Sequence, residues 1–372
     1  MVCPLDWGLG HASRMLPVIN RFKMDGHRVI MAGTGRSGEL LKTTFPELAF
    51  LMMPSPDIRL GEGRTLSLGL MLQIPGLIRS VFREHRLVIK YVKENKIDIV
   101  VSDNRYGLFC RSAYTVFVTH QISPVLPGLF RWIEYPLYRI FRSIIGLYDE
   151  CWIPDYEDPG NNLSGKLSHR YPLPNNARFI GILSRFSYLE TAPVNIPDYH
   201  YNIVAVLSGP EPQISVFEKL VCRQLQNIPK TAVVIRGMRG MENELPPATR
   251  NKLSLISHLE THRFARILRR ADHVLCRSGY SGIMDLVALG IPAILVPTPG
   301  QREQEYLAAR LAKKGWFKVI QQEDLNLSSL PDHNSKMNVP DFNQNLLQSR
   351  QDHFQDLYSK YSSNGNKPYH KT

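Results

Sequence analysis

Cysteine is scarce in this 372-residue sequence, and the five present (Cys3, Cys110, Cys151, Cys222 and Cys276) are odd in number, widely spaced and never paired as C-x-x-C. That pattern excludes a disulfide framework and a structural zinc site, and it leaves small hydrophobes for the interior. Long apolar runs are missing too: none approaches the roughly 18 residues that read as a membrane span. No basic segment leads into an apolar core with a small-residue cleavage site, so nothing marks the chain for secretion and cytoplasmic residence is expected. No Asp-x-Asp triplet occurs. Acidic residues are the minority: 45 Lys and Arg against 33 Asp and Glu give +12 and a pI near 9.5, which calls for an anionic partner. The basic residues are dispersed with no compact basic-aromatic motif, which argues against nucleic acid.

The length exceeds one ordinary core at roughly 100 to 200 residues per domain, so two domains with a cleft between them are expected. Short β-branched runs alternate with longer stretches of three-and-four apolar spacing. In the first half the runs are residues 27–33, 48–53, 97–103, 114–120, 149–154 and 178–182, with "LIRSVFREHRLVIKYVKE" (77–94) as a helix between two of them. In the second half they are 202–209, 231–237, 252–257, 273–279, 291–297 and 317–320. This is the βα rhythm of parallel sheets covered on both faces, repeated twice. We therefore expect an α/β protein with a Rossmann-like domain over 1–183, a linker over 184–200 and a second Rossmann-like domain over 201–339. A polar helix with an apolar stripe follows over 340–360, free to pack back on the first domain, and 361–372 reads as a disordered tail. The stretch 154–176 is rich in proline, glycine and asparagine and reads as a loop. Before Asp6 only Val2 to Leu5 remain for a first strand, short of the usual five or six residues.

Ligands collect outside the carboxyl ends of strands in open α/β sheets, so the residues after each run matter most. "PLDWGLGHASR" (4–14) puts Gly8 and Gly10 in a tight turn ahead of a helix opening at Ala12 and Ser13, whose free N–H groups favour an anion. His11 then stands at the cleft rim, either accepting a proton from a hydroxyl or capping the turn. The missing third glycine argues against a dinucleotide fingerprint. In "CRSGYSGIMDLVALGIPAILVP" (276–297) a strand ends at Arg277, Ser278 and Gly279. A short helix follows, which Gly290 ends and Pro292 prevents from continuing. Its start suits a diphosphate, and Asp285 either accepts the hydroxyls of a ribose or complements the helix dipole. In "PTPGQREQEYLAARL" (297–311), Gln304 and Glu305 are side chains of the kind that read sugar hydroxyls.

"GLGHASR" together with "ADHVLCRSGYSGIMDLVALGIPAILVPTPGQREQEY" resembles the GT-B glycosyltransferases related to the N-acetylglucosaminyl transferase that makes lipid II. The second motif matches in spacing over about 35 positions, and the first stands where that family has it. The resemblance implies a GT-B fold, two Rossmann-like domains facing across a cleft, and a UDP-sugar as donor with no cofactor. It implies that His11 is a general base beside the acceptor hydroxyl, with Gly8 and Gly10 on the diphosphate side. It also implies that Asp285 stands for a ribose-binding glutamate, that Gln304 and Glu305 stand for two glutamines holding the donor sugar, and that Arg185 approaches the nucleotide. The segment from Thr261 to Phe264 falls where backbone groups read the uracil. Ser208 and Gly209, in "LSGPEPQ", replace a more glycine-rich loop with fewer N–H donors.

Together these readings predict an inverting displacement at the anomeric carbon, with the departing diphosphate held by helix starts and arginine and no bound metal. The acceptor is expected to be lipid-linked or a cell-envelope glycan. Residues 123–148, with Phe130, Arg131, Trp132, Arg139 and Arg142, read either as a surface lying in an anionic membrane interface or as a buried crossover helix. Two other readings compete: a UDP-sugar 2-epimerase, and a non-catalytic nucleotide-sugar binding or membrane scaffold subunit.

Overall fold

The computed structural model describes residues 1–55, 66–126, 128–188, 200–237, 253–257, 259–331, 339–340 and 353–361. Two parallel sheets organise it. The first has seven strands: β1 (Val2–Pro4), β2 (Ile30–Gly33), β3 (Ala49–Met52), β4 (Ile99–Asp103), β5 (Tyr114–Val118), β6 (Glu150–Ile153) and β7 (Ala177–Phe179), in the order β3-β2-β1-β4-β5-β6-β7. The second has six: β8 (Ile203–Val206), β9 (Ala232–Ile235), β10 (Leu253–Ile256), β11 (His273–Cys276), β12 (Ile294–Leu295) and β13 (Lys318–Val319), in the order β10-β9-β8-β11-β12-β13. Every run named from the sequence contains one of these strands, except that 178–182 overlaps β7, which starts one residue earlier at Ala177. Both sheets reverse direction at their first strand, so each has its switch point between its first and fourth strands. That is where such sheets leave a crevice for ligand.

The alternation of side chains along each strand explains why helices cover both faces. Val2, Met31, Val101, Val116 and Trp152 turn to one face of the first sheet, under α1 (Leu9–Met24) and α2 (Gly35–Thr44). Cys3, Ala32, Val100, Phe117 and Cys151 turn to the other, under α3 (Leu66–Asn95) and α4 (Glu134–Ile145). A one-residue slip in any strand would exchange these sets, so burial on both faces fixes the register. The second sheet repeats the scheme. Val204, Val233 and Val274 face α7 (Thr261–Arg270) and α8 (Tyr280–Leu289), while Ala205, Val234 and Leu275 face α6 (Gln213–Leu225).

Some elements differ from expectation. α1 begins at Leu9, three residues before Ala12, because Gly8 adopts φ 91° and turns the chain directly out of β1. The stretch read as a loop contains one helical turn, α5 (Lys166–His169), and its Leu163 and Leu167 are buried in the core of the second half. The two halves are therefore joined by shared packing near residues 154–169. α9 (Arg302–Lys313) seals this joint: the Tyr306 hydroxyl accepts from the Lys166 amide at 2.7 Å, and the Lys314 ammonium donates to the Gly160 carbonyl. A helix over 353–361, α10, packs Phe354 and Leu357 into the core beneath α1, each such burial stabilising by about 2 kcal/mol. Residues 341–352, linker residues 189–199 and tail residues 362–372 lie outside the described residues, and Tyr361 closes α10. Among the described residues no helix is long and apolar enough to cross a membrane.

Candidate active site

The two switch points face each other across a cavity of about 270 Å³. β1 delivers Trp7 to His11, β4 delivers Asn104 with Asp103 buried behind the wall, β8 delivers Leu207 to Pro210, and β11 delivers Arg277 and Gly279. A larger groove, about 890 Å³, runs beside α3 between Met52, Ile78 and Phe82, away from both switch points. The converging strand ends, not volume, identify the smaller cavity as the site.

α1 and α8 point their N-termini into this cavity. Gly8 and Gly279 stand at the N-cap positions, neither helix has a side-chain cap, and Gly10 comes close to Ser281. Uncapped helix starts leave backbone donors open and carry partial positive charge, which together favour a phosphate. Ser208 and Gly209 line the same space.

His11 sits in the first turn of α1 with its Nδ1 3.1 Å from Oδ2 of Asp103, which is fully buried at the end of β4. Arg14, one turn further along α1 and fully buried, donates from Nε to Oδ2 at 2.8 Å and from NH2 to Oδ1. Its NH2 also lies 2.9 Å from His11 Nδ1. Burial first, and the Arg14 charge second, lower the His11 pKa, against the opposing pull of Asp103. Burial pushes the Asp103 carboxyl upward, but Arg14 and His11 outweigh it and hold it below the usual carboxylate range. A neutral histidine backed by an ionised carboxylate can take a proton from a hydroxyl and then carry the charge.

Beside this pair, His120 at the end of β5 stacks on Tyr280 with ring centroids 4.0 Å apart, and its Nε2 lies 2.9 Å from Oε1 of Glu303. The opposite wall carries Asp285, which accepts from the Ser184 hydroxyl and lies 3.4 Å from Arg185 Nε. Burial raises the Asp285 pKa, opposed by Arg185 and Ser184. The Arg185 guanidinium covers the Phe264 ring at 4.5 Å.

The structure brings His11, Gly8, Gly10, Arg185, Ser208, Gly209, Phe264, Arg277, Gly279, Asp285 and Gln304 to the cavity wall. It does not bring Thr261, Ser278 or Glu305 there. Thr261 opens α7, a turn before Phe264. The Ser278 hydroxyl is spent on the Gln304 carbonyl. Glu305 accepts from the Gly300 amide and pairs with Arg302, bracing its own loop. Arg277 reaches the wall but is committed inward: it donates to the Val296 and Pro297 carbonyls and to Gln322 and lies 3.8 Å over Phe217, with its pKa lowered to about 10 by burial. In the segment read as a membrane surface, Arg131, Trp132 and Arg139 are exposed and Phe130 is half-buried. Arg142 is half-buried and donates to the Tyr138 hydroxyl, so it does not belong to the exposed face.

Sequence reasoning missed Asp103, Arg14, His120, Glu303, Asn104 and Ser184. Asp103 and His120 carried a signal, since each closes a strand run. Glu303 carried none beyond standing next to Gln304.

Two parallel sheets of matching order, facing across a cleft with the motif residues at both switch points, are the GT-B fold, and the protein is a glycosyltransferase of that type. Residues 215–361 match the glycosyltransferase family 28 C-terminal domain. The chain is similar to an uncharacterized glycosyltransferase of Methanosarcina acetivorans, 23% identical over 334 residues that cover 84% of this chain and 83% of that one. Over a shorter stretch it is similar to the UDP-N-acetylglucosamine--N-acetylmuramyl-(pentapeptide) pyrophosphoryl-undecaprenol N-acetylglucosamine transferase of Desulforudis audaxviator, 46% identical over 66 residues, 17% of this chain and 18% of that one. Among solved structures it resembles the calicheamicin glycosyltransferase CalG4, with a TM-score of 0.60 and 16% identity over 97% of this chain and 98% of that one. It also resembles a candidate UDP-N-acetylglucosamine 2-epimerase of Listeria monocytogenes, with a TM-score of 0.58 and 13% identity over 99% and 97%. At these identities the structural likenesses speak for the fold alone.

Proposed function

We propose that the protein is an inverting, metal-independent glycosyltransferase that moves a sugar from a UDP-sugar to a hydroxyl of a lipid-linked or cell-envelope glycan. The observation that carries this reading is the His11–Asp103 pair at the uncapped start of α1, in the same cavity as the uncapped start of α8. His11 Nε2 takes the proton of the acceptor hydroxyl as its oxygen attacks the anomeric carbon. The bond from that carbon to the diphosphate breaks, and UDP departs with the negative charge. Asp103 stabilises the imidazolium that forms, and the N–H groups opening α1 and α8 meet the charge growing on the diphosphate. In this reading Asp285 and Arg185 serve the nucleotide and Phe264 the base, while Gln304, whose amide oxygen accepts from the Thr298 amide at 3.0 Å, offers its NH2 to the sugar.

The lipid-linked acceptor draws support from the molecular surface. α3 exposes Ile78, Phe82 and Ile89 with Arg79, Arg83, Arg86 and Lys90 alongside, and the segment leading into α4 exposes Arg131 and Trp132, with Tyr135 exposed in the first turn of α4. Both helices cover the same face of the first sheet, so apolar and basic groups share one side of the molecule. The Desulforudis relative is named for an undecaprenol-linked acceptor.

A panel of UDP-sugars, each incubated with and without a lipid-linked glycan acceptor and in EDTA, tests the proposal. We expect sugar transfer that survives chelation and falls about a hundredfold or more in His11→Ala with UDP binding retained. A new UDP-sugar formed without acceptor would instead identify an epimerase. Binding with no turnover in any arm would leave a nucleotide-sugar binding subunit.

A further inference from the structure

We infer that Glu303 is a positioning residue of the second half which, through His120 and Arg14, holds His11 in the tautomer able to act as a base. His11 is thereby competent only while the two halves are engaged. The inference rests on the proposed role of His11.

The chemistry of the four links dictates the protons. A guanidinium only donates and a carboxylate only accepts. Arg14 NH1 lies 3.2 Å from His120 Nδ1, so that nitrogen must present a lone pair. Its partner Nε2 must then carry the proton, which it gives to Glu303 Oε1 at 2.9 Å. His120 is thus a neutral bridge between a cation on α1 and an anion on α9. Tyr280, on α8, holds its ring flat at an interplanar angle of 7°. Burial raises the Glu303 pKa, but His120 together with the His11 and Arg14 charges holds it below the usual carboxylate range.

His11 has a choice that His120 lacks. Its Nδ1 lies 3.1 Å from an acceptor, Asp103 Oδ2, and 2.9 Å from a donor, Arg14 NH2. With the proton on Nδ1 the ring donates to Asp103, and Nε2 is free to accept from an acceptor hydroxyl. With Nδ1 bare the ring accepts from Arg14, and Nε2 carries a proton and is useless as a base. Which state prevails depends on where Arg14 spends its donors. While Glu303 keeps the His120 proton on Nε2, Arg14 has a lone pair to meet at His120. Without Glu303 that proton can move to Nδ1, where it opposes Arg14 NH1 and leaves the guanidinium to donate to His11 Nδ1, which NH2 already approaches at 2.9 Å. Glu303 belongs to α9, and the other three groups of the chain belong to the first half. The arrangement therefore makes base strength conditional on contact across the cleft.

Nitrogen NMR of isotope-labelled histidine in the full chain near neutral pH reads each tautomer directly, with His11→Gln and His120→Gln assigning the signals. We expect His11 as the Nδ1–H form and His120 as the Nε2–H form in the unaltered protein. In Glu303→Ala both should shift toward the opposite form. Glu303→Gln, whose amide oxygen still accepts from Nε2–H, should keep the original pattern. With UDP-N-acetylglucosamine as probe, the rate of UDP release should fall about tenfold in Glu303→Ala and recover in Glu303→Gln, with UDP affinity unchanged. An unchanged His11 tautomer in a Glu303→Ala protein that still binds UDP would overturn the inference. UDP release at the original rate from His11→Ala would instead overturn the base role, and the tautomers would still judge the relay separately.

Discussion

Gly10 and Ser281 meet across the cleft: a Cβ on Gly10 would stand 3.0 Å from Ser281 Oγ and 3.1 Å from Ser281 Cβ. The glycine is required because α1 and α8 can bring their N-termini together only if one of them carries no side chain there. Gly10→Ala should push the helix starts apart and weaken UDP binding roughly tenfold, about 1.4 kcal/mol. Adding Ser281→Gly should restore most of the affinity, since both crowding atoms leave. Calorimetric titration with UDP checks both variants, and equal affinity in all three proteins would refute the contact.

The His11 and Asp103 shifts make stability depend on pH in two separate windows. His11 is held below 6.5 by burial first and Arg14 second. As pH falls through 6.5 the unfolded chain takes up that proton and the folded chain does not. The His11 contribution is therefore complete above 6.5 and declines toward its lower folded value. Asp103 is held below 3.8, because Arg14 and His11 outweigh the upward push of burial. Its contribution is complete above 3.8 and is lost as pH falls through the folded value. Urea unfolding across pH should show both declines, and His11→Gln should remove the upper one while the lower persists. The acid limb of turnover should likewise lie below 6.5.

Arg277 should prove to be a stability residue. Its guanidinium satisfies two carbonyls at the end of β12 and covers Phe217, so Arg277→Lys should cost about 2 kcal/mol of unfolding free energy. UDP affinity should stay within about twofold of the original, well under the 1.4 kcal/mol that a tenfold change represents. Chemical denaturation and UDP titration on the same variant separate the two effects.

The exposed basic and apolar face should bind anionic membranes. Replacing Arg79, Arg83 and Arg86 by glutamine should weaken co-sedimentation with phosphatidylglycerol vesicles roughly a hundredfold, at about 1 kcal/mol per arginine. Arg142→Gln should leave it unchanged, because that side chain is turned to Tyr138. Equal binding by all variants would remove the membrane argument.

Local pattern carried much of this protein. The runs 97–103 and 273–279 reveal their strands because β-branched residues cluster at a length that suits a buried parallel strand, and Gly290 ends α8 because it takes the left-handed conformation at φ 65°. Element ends were less legible: α1 starts at Leu9 because of the geometry of Gly8, which flanking composition does not record. Arg277 and Glu305 stood in the right motifs, but only packing decided that one turns inward and the other toward Gly300.

By itself the sequence determined the alternation of strands and helices, the two-part architecture and the motifs at the strand ends. These follow from side-chain periodicity and from backbone freedom at glycine, and both are properties of neighbouring residues. The tertiary structure alone decided that His11 faces Asp103 across 92 residues of chain and that His120 faces Glu303 across 183. Contacts of that kind depend on strand order and on how the two sheets are joined, and charge pairing in a buried cleft acts through distance in space, which no spacing along the chain encodes.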